Sequence, residues 1–223
     1  LPIWPSCALL LSSIAHAGIV VGSTRYLYKE GAREITAQIE NKDDIPYLIK
    51  SWVEAPAGKA PSFMATPPLF RLEGKQQNTV RLFSNGNVNA PTDRESMYYF
   101  NVMAIPPADD AKANNNTIQL AVRHRMRLVY RPKALFDLSP NTEAKKLEWR
   151  KSGTKLTIKN PTPFFFYFHS IQIGSKEVKP EVNSVAPMTT KEVTLKENIN
   201  ASSITWKVVN DYGGAGSLYS SSL

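Results

Sequence analysis

One stretch of sequence decides the fold, Thr117-Ile-Gln-Leu-Ala-Val-Arg-His-Arg-Met-Arg-Leu-Val-Tyr130. Its side chains alternate between two faces, as in a β-strand whose faces meet different surroundings. At about 3.3 Å per residue it would span on the order of 45 Å, about twice a typical strand. It is either a central strand buried on both sides or an edge strand, and an apolar edge aggregates unless a partner covers it. The pattern alone leaves both readings open. One face would carry Ile118, Leu120, Val122, His124, Met126 and Leu128, and the other Gln119, Ala121, Arg123, Arg125, Arg127 and Val129.

Shorter segments of strand character lie on both sides of this stretch and are bounded by turn residues such as Asn85-Gly86 and Ser152-Gly153. No sustained helical periodicity appears. The sequence therefore predicts an all-β protein of two sandwich domains, residues 18–138 and 147–223, joined by a linker at 139–146. A single elongated sandwich is the alternative. The predicted strands cover residues 35–40, 47–53 (a buried strand), 79–83, 97–104, 117–130, 147–149, 156–158, 164–168, 189–195 and 204–209.

The first 17 residues differ from the rest because they carry no charge and end in Ala15-His16-Ala17. Small residues at Ala15 and Ala17 form a cleavage signal, so we expect residues 1–17 to be a secretory signal peptide, truncated at its start. A short buried helix is the alternative. The chain's one cysteine, Cys7, lies in this segment, so the mature chain is expected to have neither a disulfide nor a thiol nucleophile.

The sequence offers little for catalysis. The histidines after residue 17, His124 and His169, have no second ligand at metal-binding spacing, and no phosphate-binding or nucleophile motif is present. The net charge of +8 is dispersed, which favours a solvated surface over a nucleic-acid site. No apolar run reaches the roughly 20 residues of a membrane span. We expect no metal, no cofactor, no nucleic-acid partner, no membrane insertion and no enzyme activity.

Seven short motifs are spread over nearly the whole chain after residue 17. They are residues 18–28, 46–54, 66–69, 93–96 with 99–101, 128–132, 160–163 and 210–213. Each is weak alone, but together and in this order they resemble the periplasmic chaperones of the chaperone–usher pilus pathway. The resemblance implies two immunoglobulin-like β-sandwich domains in an L-shaped arrangement.

The resemblance also implies how the long strand is used. Ile118, Leu120 and Val122 match the donor-strand positions that fill the open groove of an incomplete pilus subunit. Arg25 matches an arginine that anchors the subunit's C-terminal carboxylate. Arg127 stands where family members have a lysine, and Thr24 is expected to add a hydrogen bond.

A third set, Glu95, Arg131 and Asp211, matches buried charges that bridge the two domains and set their angle. The short connection from Pro106 to Asn116, without a cysteine pair, resembles the short-loop branch of the family. The implied partners are pilus subunits and an outer-membrane usher, and the implied location is the periplasm. Whether the unloaded protein forms a self-dimer is left open.

Two other classes of protein are the alternatives to a chaperone. A pilus subunit or adhesin shares the sandwich type but is normally shorter and carries a disulfide. An exported enzyme has no residue constellation to support it.

Overall fold

Two β-sandwiches follow one another along the chain in the computed structural model, which describes residues 18–56, 62–86, 88–107, 120–178 and 184–223. The predicted signal peptide and Ile118 lie outside these residues. Within them, no helix is long and apolar enough to cross a membrane.

The N-terminal domain consists of two sheets packed face to face. One has the order β1-β3-β7-β5 and the other β2-β9-β8-β4-β6. The alternation expected at residues 35–40 is confirmed, because Ala37 and Ile39 are buried while Thr36 and Gln38 face solvent. The strands are β1 (Ile19–Val21), β2 (Arg25–Lys29), β3 (Ile35–Asn41), β4 (Tyr47–Glu54), β5 (Phe63–Thr66), β6 (Leu69–Leu72), β7 (Gln77–Ser84), β8 (Ser96–Ile105) and β9 (Val122–Arg131).

The C-terminal domain repeats this arrangement with two smaller sheets. Their orders are β10-β11-β15 and β13-β12-β16-β17, with β14 also paired to β12. Apolar side chains from both sheets, among them Phe166, Ile171 and Trp206, form its separate core. The strands are β10 (Glu148–Ser152), β11 (Lys155–Asn160), β12 (Phe166–Ile173), β13 (Lys176–Glu177), β14 (Ser184–Val185), β15 (Thr189–Thr194), β16 (Ser203–Val209) and β17 (Ala215–Ser222).

The connection between the domains, which includes the predicted linker at 139–146, has regular local structure. It contains a 3₁₀ turn at Lys133–Leu135, the short helix α1 (Pro140–Glu143) and a second 3₁₀ turn at Ala144–Lys146. Ala144 is fully buried in the second core, and its carbonyl accepts a hydrogen bond of 3.2 Å from Trp206 Nε1. Composition alone does not show that a small side chain in such a connection will be packed.

Two strand predictions need correction. The strand around residues 47–53 is half-buried instead of buried, since Leu48 and Lys50 face solvent on the outer side of the sheet. The long strand runs from Val122 to Arg131 among the described residues, and Leu120 and Ala121 precede it without strand geometry.

Candidate functional site

Strand β9 is covered along one side for its whole length and along the other side for only half of it. Strand β8 pairs with it from Val122 to Tyr130. Strand β2 runs parallel to it on the other side, but only from Arg127 to Arg131. Within the described parts of the chain, no strand pairs with the second side of the segment from Val122 to Met126. The strand is therefore central in its second half and an edge in its first half. Each of the two alternatives that the sequence left open thus holds for one half of the strand.

The apolar face of β9 continues beyond the protein's own core. Met126 and Leu128 are buried in the N-terminal core. On the same face, Val122 is 53% exposed, and Leu120 just before the strand is 74% exposed. Exposed apolar side chains on an unpaired strand edge are typical of a binding surface. Leu120 and Val122 thus have the exposure that a donor strand requires, while Ile118, predicted to act with them, remains a prediction.

Between β1 and β2 the chain passes from one sheet to the other, and this crossing sets the limit of the unpaired edge of β9. Strand β1 belongs to one sheet, where the amide of Gly22 still donates to the carbonyl of Gln38 at 2.9 Å. Strand β2 belongs to the other sheet, beside β9. The crossing ends at Thr24, whose main-chain oxygen accepts a hydrogen bond of 3.3 Å from the amide of Arg127. Thr24 has an exposed side chain, and the contact it makes here is through its backbone.

Arg25 lies at the inner end of this edge and is buried. Its Cα pairs with that of Arg127 on the neighbouring strand, so the two side chains project from the same face of the sheet. The Arg25 side chain is 4% exposed, and its Nη2 lies 3.6 Å from an oxygen of Asp211. Among the described residues, its Nε and Nη2 have no hydrogen-bond partner. These two nitrogens form one edge of the guanidinium group, the edge that binds a carboxylate in bidentate fashion.

Arg127 lies in the cleft between the two domains. Its guanidinium carbon is 3.7 Å from the ring centre of Tyr167, a residue of strand β12 in the C-terminal domain. Burial raises the pKa of the Tyr167 hydroxyl, although the nearby charge of Arg127 acts against this shift. Stacking on an aromatic face holds an arginine side chain in one orientation. The structure thus brings Arg25 and Arg127 together, with Arg127 half-buried and oriented by the second domain.

Three charged residues form a hydrogen-bonded network across the domain interface. Arg131 donates from Nε to Glu95 at 2.8 Å and from Nη1 and Nη2 to the two carboxylate oxygens of Asp211 at 2.7 and 2.8 Å. The second oxygen of Glu95 accepts from the amide of Phe165 at 2.9 Å. The structure therefore brings together all three residues that the resemblance assigned to this set.

The two carboxylates of the network respond differently to burial. Burial raises the pKa of the Glu95 carboxyl, against the opposing effects of Arg131 and of the Phe165 amide. Burial also acts to raise the pKa of Asp211, but the hydrogen bonds and charge of Arg131, together with the charges of Arg25 and Lys29, hold it below its ordinary value. Asp211 is therefore the common counter-ion of both buried arginines.

An apolar cluster supports this network. Met97, Val129 and Tyr167 form a buried group to which both domains contribute. Sequence reasoning did not assign a role to Tyr167, because the aromatic run of residues 164–168 predicted only a strand. A tyrosine within an otherwise phenylalanine-rich run is the one signal that could have marked it. In the described parts of the chain, no group of acidic, histidine or cysteine side chains is placed to hold a metal ion.

Family models and known proteins match this chain over most of its length. Residues 18–136 match the N-terminal domain of the pili and flagellar-assembly chaperone PapD, and residues 142–220 match the PapD C-terminal domain. The Escherichia coli chaperone protein FimC is 39% identical over 208 residues, which cover 92% of this chain and 85% of FimC. The Escherichia coli chaperone protein FocC is 38% identical over 201 residues, covering 89% of this chain and 87% of FocC.

Solved structures match equally well. A chain in the structure of the Salmonella enterica SafA pilin in complex with the SafB chaperone superposes with a TM-score of 0.83 at 30% identity, covering 95% of this chain and 99% of that one. The Escherichia coli chaperone DraB superposes with a TM-score of 0.78 at 34% identity, covering 92% and 96%. The resemblance found in the sequence motifs is confirmed, and the chain belongs to the PapD family of pilus-assembly chaperones.

Proposed function

We propose that this protein is a periplasmic chaperone that binds a pilus subunit by adding β9 to the subunit's incomplete sandwich, and then delivers it to an outer-membrane usher. Strand addition requires an unpaired edge and side chains that fill pockets in the partner. The segment from Val122 to Met126 supplies the edge, and Leu120 and Val122 supply exposed apolar side chains. Each of these side chains contributes about 1.5–3 kcal/mol when it is fully buried, before ordering costs.

The observation that carries the proposal is the buried guanidinium of Arg25 beside this edge, because two of its donors have no hydrogen-bond partner within the part of the chain that the structure describes. Leaving buried donors without partners costs about 1–3 kcal/mol, and a carboxylate would satisfy both at once. We assign Arg25 to the subunit's C-terminal carboxylate, with Arg127 as a second cation beside it. Thr24 stays in the proposed anchor as the residue that joins β2 to β9 through its carbonyl.

Delivery to an usher and the periplasmic location rest on the family and on the signal peptide predicted for residues 1–17. The edge that accepts a subunit would also accept a second copy of the chain. We therefore propose a self-dimer of the unloaded protein, because an exposed apolar edge otherwise aggregates. Sedimentation velocity of the unloaded protein at increasing concentration would reveal this dimer, and adding a subunit would dissolve it.

The central test is co-expression with a candidate subunit that is encoded beside this protein. We expect a stable one-to-one complex in the periplasmic fraction, lost in Arg25→Ala and in Val122→Glu. Arg33→Ala is the matched control, since Arg33 is an exposed arginine of the same domain. A complex that survives both substitutions unchanged would refute the proposed binding mode. Self-polymerisation of this chain would instead indicate a pilus subunit.

A further inference from the structure

Two arginines lie on the free half of β9 and point away from the apolar face. Arg123 and Arg125 project from the outer face of the sheet, whereas Val122 faces the opposite way. Both are partly exposed. We call Arg123 and Arg125 the outer arginine pair. The proposed binding mode uses the apolar face and the anchor, and it gives this pair no role.

The outer arginine pair is held in place by neighbouring strands. Arg123 donates from Nε to Asn101 Oδ1 at 3.0 Å and lies over the ring of Trp52. The guanidinium carbon of Arg125 is 3.6 Å from the ring centre of Tyr99. These contacts come from β8 and β4, so the two side chains are oriented before any partner arrives.

The pair carries more positive charge than the carboxylates of the described residues around it neutralise. Glu54 is the carboxylate that pairs with both arginines, through Oε1 to Arg123 and through Oε2 at 3.4 Å to Arg125. Burial acts to raise the pKa of Glu54, but a hydrogen bond from Trp52 and the charges of the two arginines lower it below its ordinary value. One carboxylate thus serves two cations, and one positive charge remains on the face beside the edge.

The main-chain amides and carbonyls of Arg123 and Arg125 point to the unpaired side of β9, where a partner strand would bind. The amide of Arg127 points toward β2, where it donates to Thr24. Because main-chain groups alternate along a strand, the amides and carbonyls of Arg125 and Arg123 point to the same side. On that side no strand of the described residues covers them. A strand that pairs here places its outward side chains beside those of Arg123 and Arg125, with Cβ atoms about 4.5–5.5 Å apart, within reach of the two long side chains.

We propose that the outer arginine pair selects subunits whose β9-pairing strand carries aspartate or glutamate at the outward-facing positions. The inference rests on the proposed function, because it requires a subunit strand beside β9. Directly opposed charges of opposite sign stabilise a strand pair, and like charges destabilise it. Subunits with lysine or arginine at these positions are therefore disfavoured partners.

The test uses two short, end-blocked, fluorescently labelled peptides with isoleucine at alternate positions and either glutamate or lysine between them. The isoleucine face matches Leu120 and Val122, and the charged face matches the outer arginine pair. We expect the glutamate peptide to bind about tenfold more tightly at low salt, as measured by fluorescence anisotropy. At about 1 M salt, where the Debye length is about 3 Å, this preference should largely disappear.

Substitutions then assign the preference to the pair. Arg123→Gln with Arg125→Gln should abolish it, and Arg123→Glu with Arg125→Glu should reverse it. Arg150→Glu should leave it unchanged, because Arg150 is an exposed arginine on β10 of the other domain. Equal binding of the two peptides, or a preference that persists in the double glutamine variant, would overturn the inference.

A further variant separates this result from the proposed function. If Val122→Glu abolishes binding of both peptides while the wild type shows no charge preference, only the inference about the arginine pair fails. If Val122→Glu leaves peptide binding unchanged, the peptides bind elsewhere and strand addition at β9 is what fails. Absence of binding by either peptide at any salt concentration counts against both.

Discussion

Arg25 and Arg131 are two buried arginines with the same counter-ion and very different surroundings. Their side chains are 4% and 5% exposed, and both lie near the carboxylate of Asp211. Arg131 uses Nε, Nη1 and Nη2 in hydrogen bonds to Glu95 and Asp211. Arg25 approaches Asp211 only to 3.6 Å and leaves Nε and Nη2 without partners among the described residues.

The difference shows that burial alone does not tell a charge whose hydrogen bonds are made within the protein from one that is available to a ligand. What separates them is whether the hydrogen-bonding capacity of the charge is used within the protein. A saturated guanidinium stabilises the folded chain, and removing it leaves its partners stranded. A buried guanidinium with unused donors costs free energy in the unloaded protein, and this free energy is recovered when a ligand accepts hydrogen bonds from those donors. Three substitutions can break or refine this comparison.

The largest effect is expected for Arg131→Met. This change leaves Glu95 buried without its cation and removes the bidentate contact to Asp211, which should lower the free energy of unfolding by about 3–5 kcal/mol. Urea denaturation followed by tryptophan fluorescence measures the loss. Arg131→Lys is the control, because it keeps the charge but not the bidentate geometry. Its free energy of unfolding should lie between those of the wild type and Arg131→Met. A loss below about 1 kcal/mol would contradict the assigned structural role.

A smaller, pH-dependent effect is expected for Asp211→Asn. The folded-state pKa of Asp211 is lowered, so its ionised form contributes stability that is fully present above the unfolded-state pKa of about 3.9. This contribution is lost as the pH falls from about 5 through the folded-state pKa. At neutral pH the variant should be less stable by about 1–3 kcal/mol.

Urea denaturation of the wild type and of Asp211→Asn at a series of pH values measures this effect. The difference in unfolding free energy should shrink as the pH falls through the acidic range. Asp137→Asn removes an exposed carboxylate from the connection between the domains and serves as the control. A difference that stays constant from neutral to acidic pH would show that the charge of Asp211 is not what stabilises the network.

The smallest effect on stability is expected for Arg25→Met. Methionine keeps most of the apolar stem, removes two donors that have no hydrogen-bond partner among the described residues, and breaks only the 3.6 Å ion pair to Asp211. The free energy of unfolding should therefore change by less than about 1 kcal/mol. The same variant should lose subunit binding in the co-expression assay. A large loss of stability would place Arg25 with Arg131 among the structural charges and remove the main support for the anchor.

Much of the fold could be predicted from the sequence because alternation of apolar and polar residues depends only on strand geometry. The strands around Ala37, Val80 and Val102 lie where the pattern indicates. Strands β5, β13 and β14 were missed because they are too short to establish a period. The solvated edge strand β17 was missed because its residues alternate little in polarity.

The site residues were identified through motif resemblance, and their physical states were not predictable from it. The resemblance assigned Arg25 to a ligand and Arg131 to an interdomain network, but the motifs gave no sign of which hydrogen bonds each guanidinium makes within the protein. These hydrogen bonds depend on Asp211, Glu95 and the Phe165 amide meeting across two domains. The stacking of Arg127 on Tyr167 likewise joins residues that are distant in sequence. Neither contact leaves a periodic signal.

The place where the first segment crosses between sheets has a consequence for the size of the guest. In the proposed binding mode, the crossing at Gly22, Ser23 and Thr24 limits how far a subunit strand can extend along β9, because β2 joins β9 only after Thr24. A strand that reached this limit would have its chain end beside Arg25. The distance from the start of β9 to the crossing would then set the length of a subunit strand whose terminal carboxylate can reach Arg25.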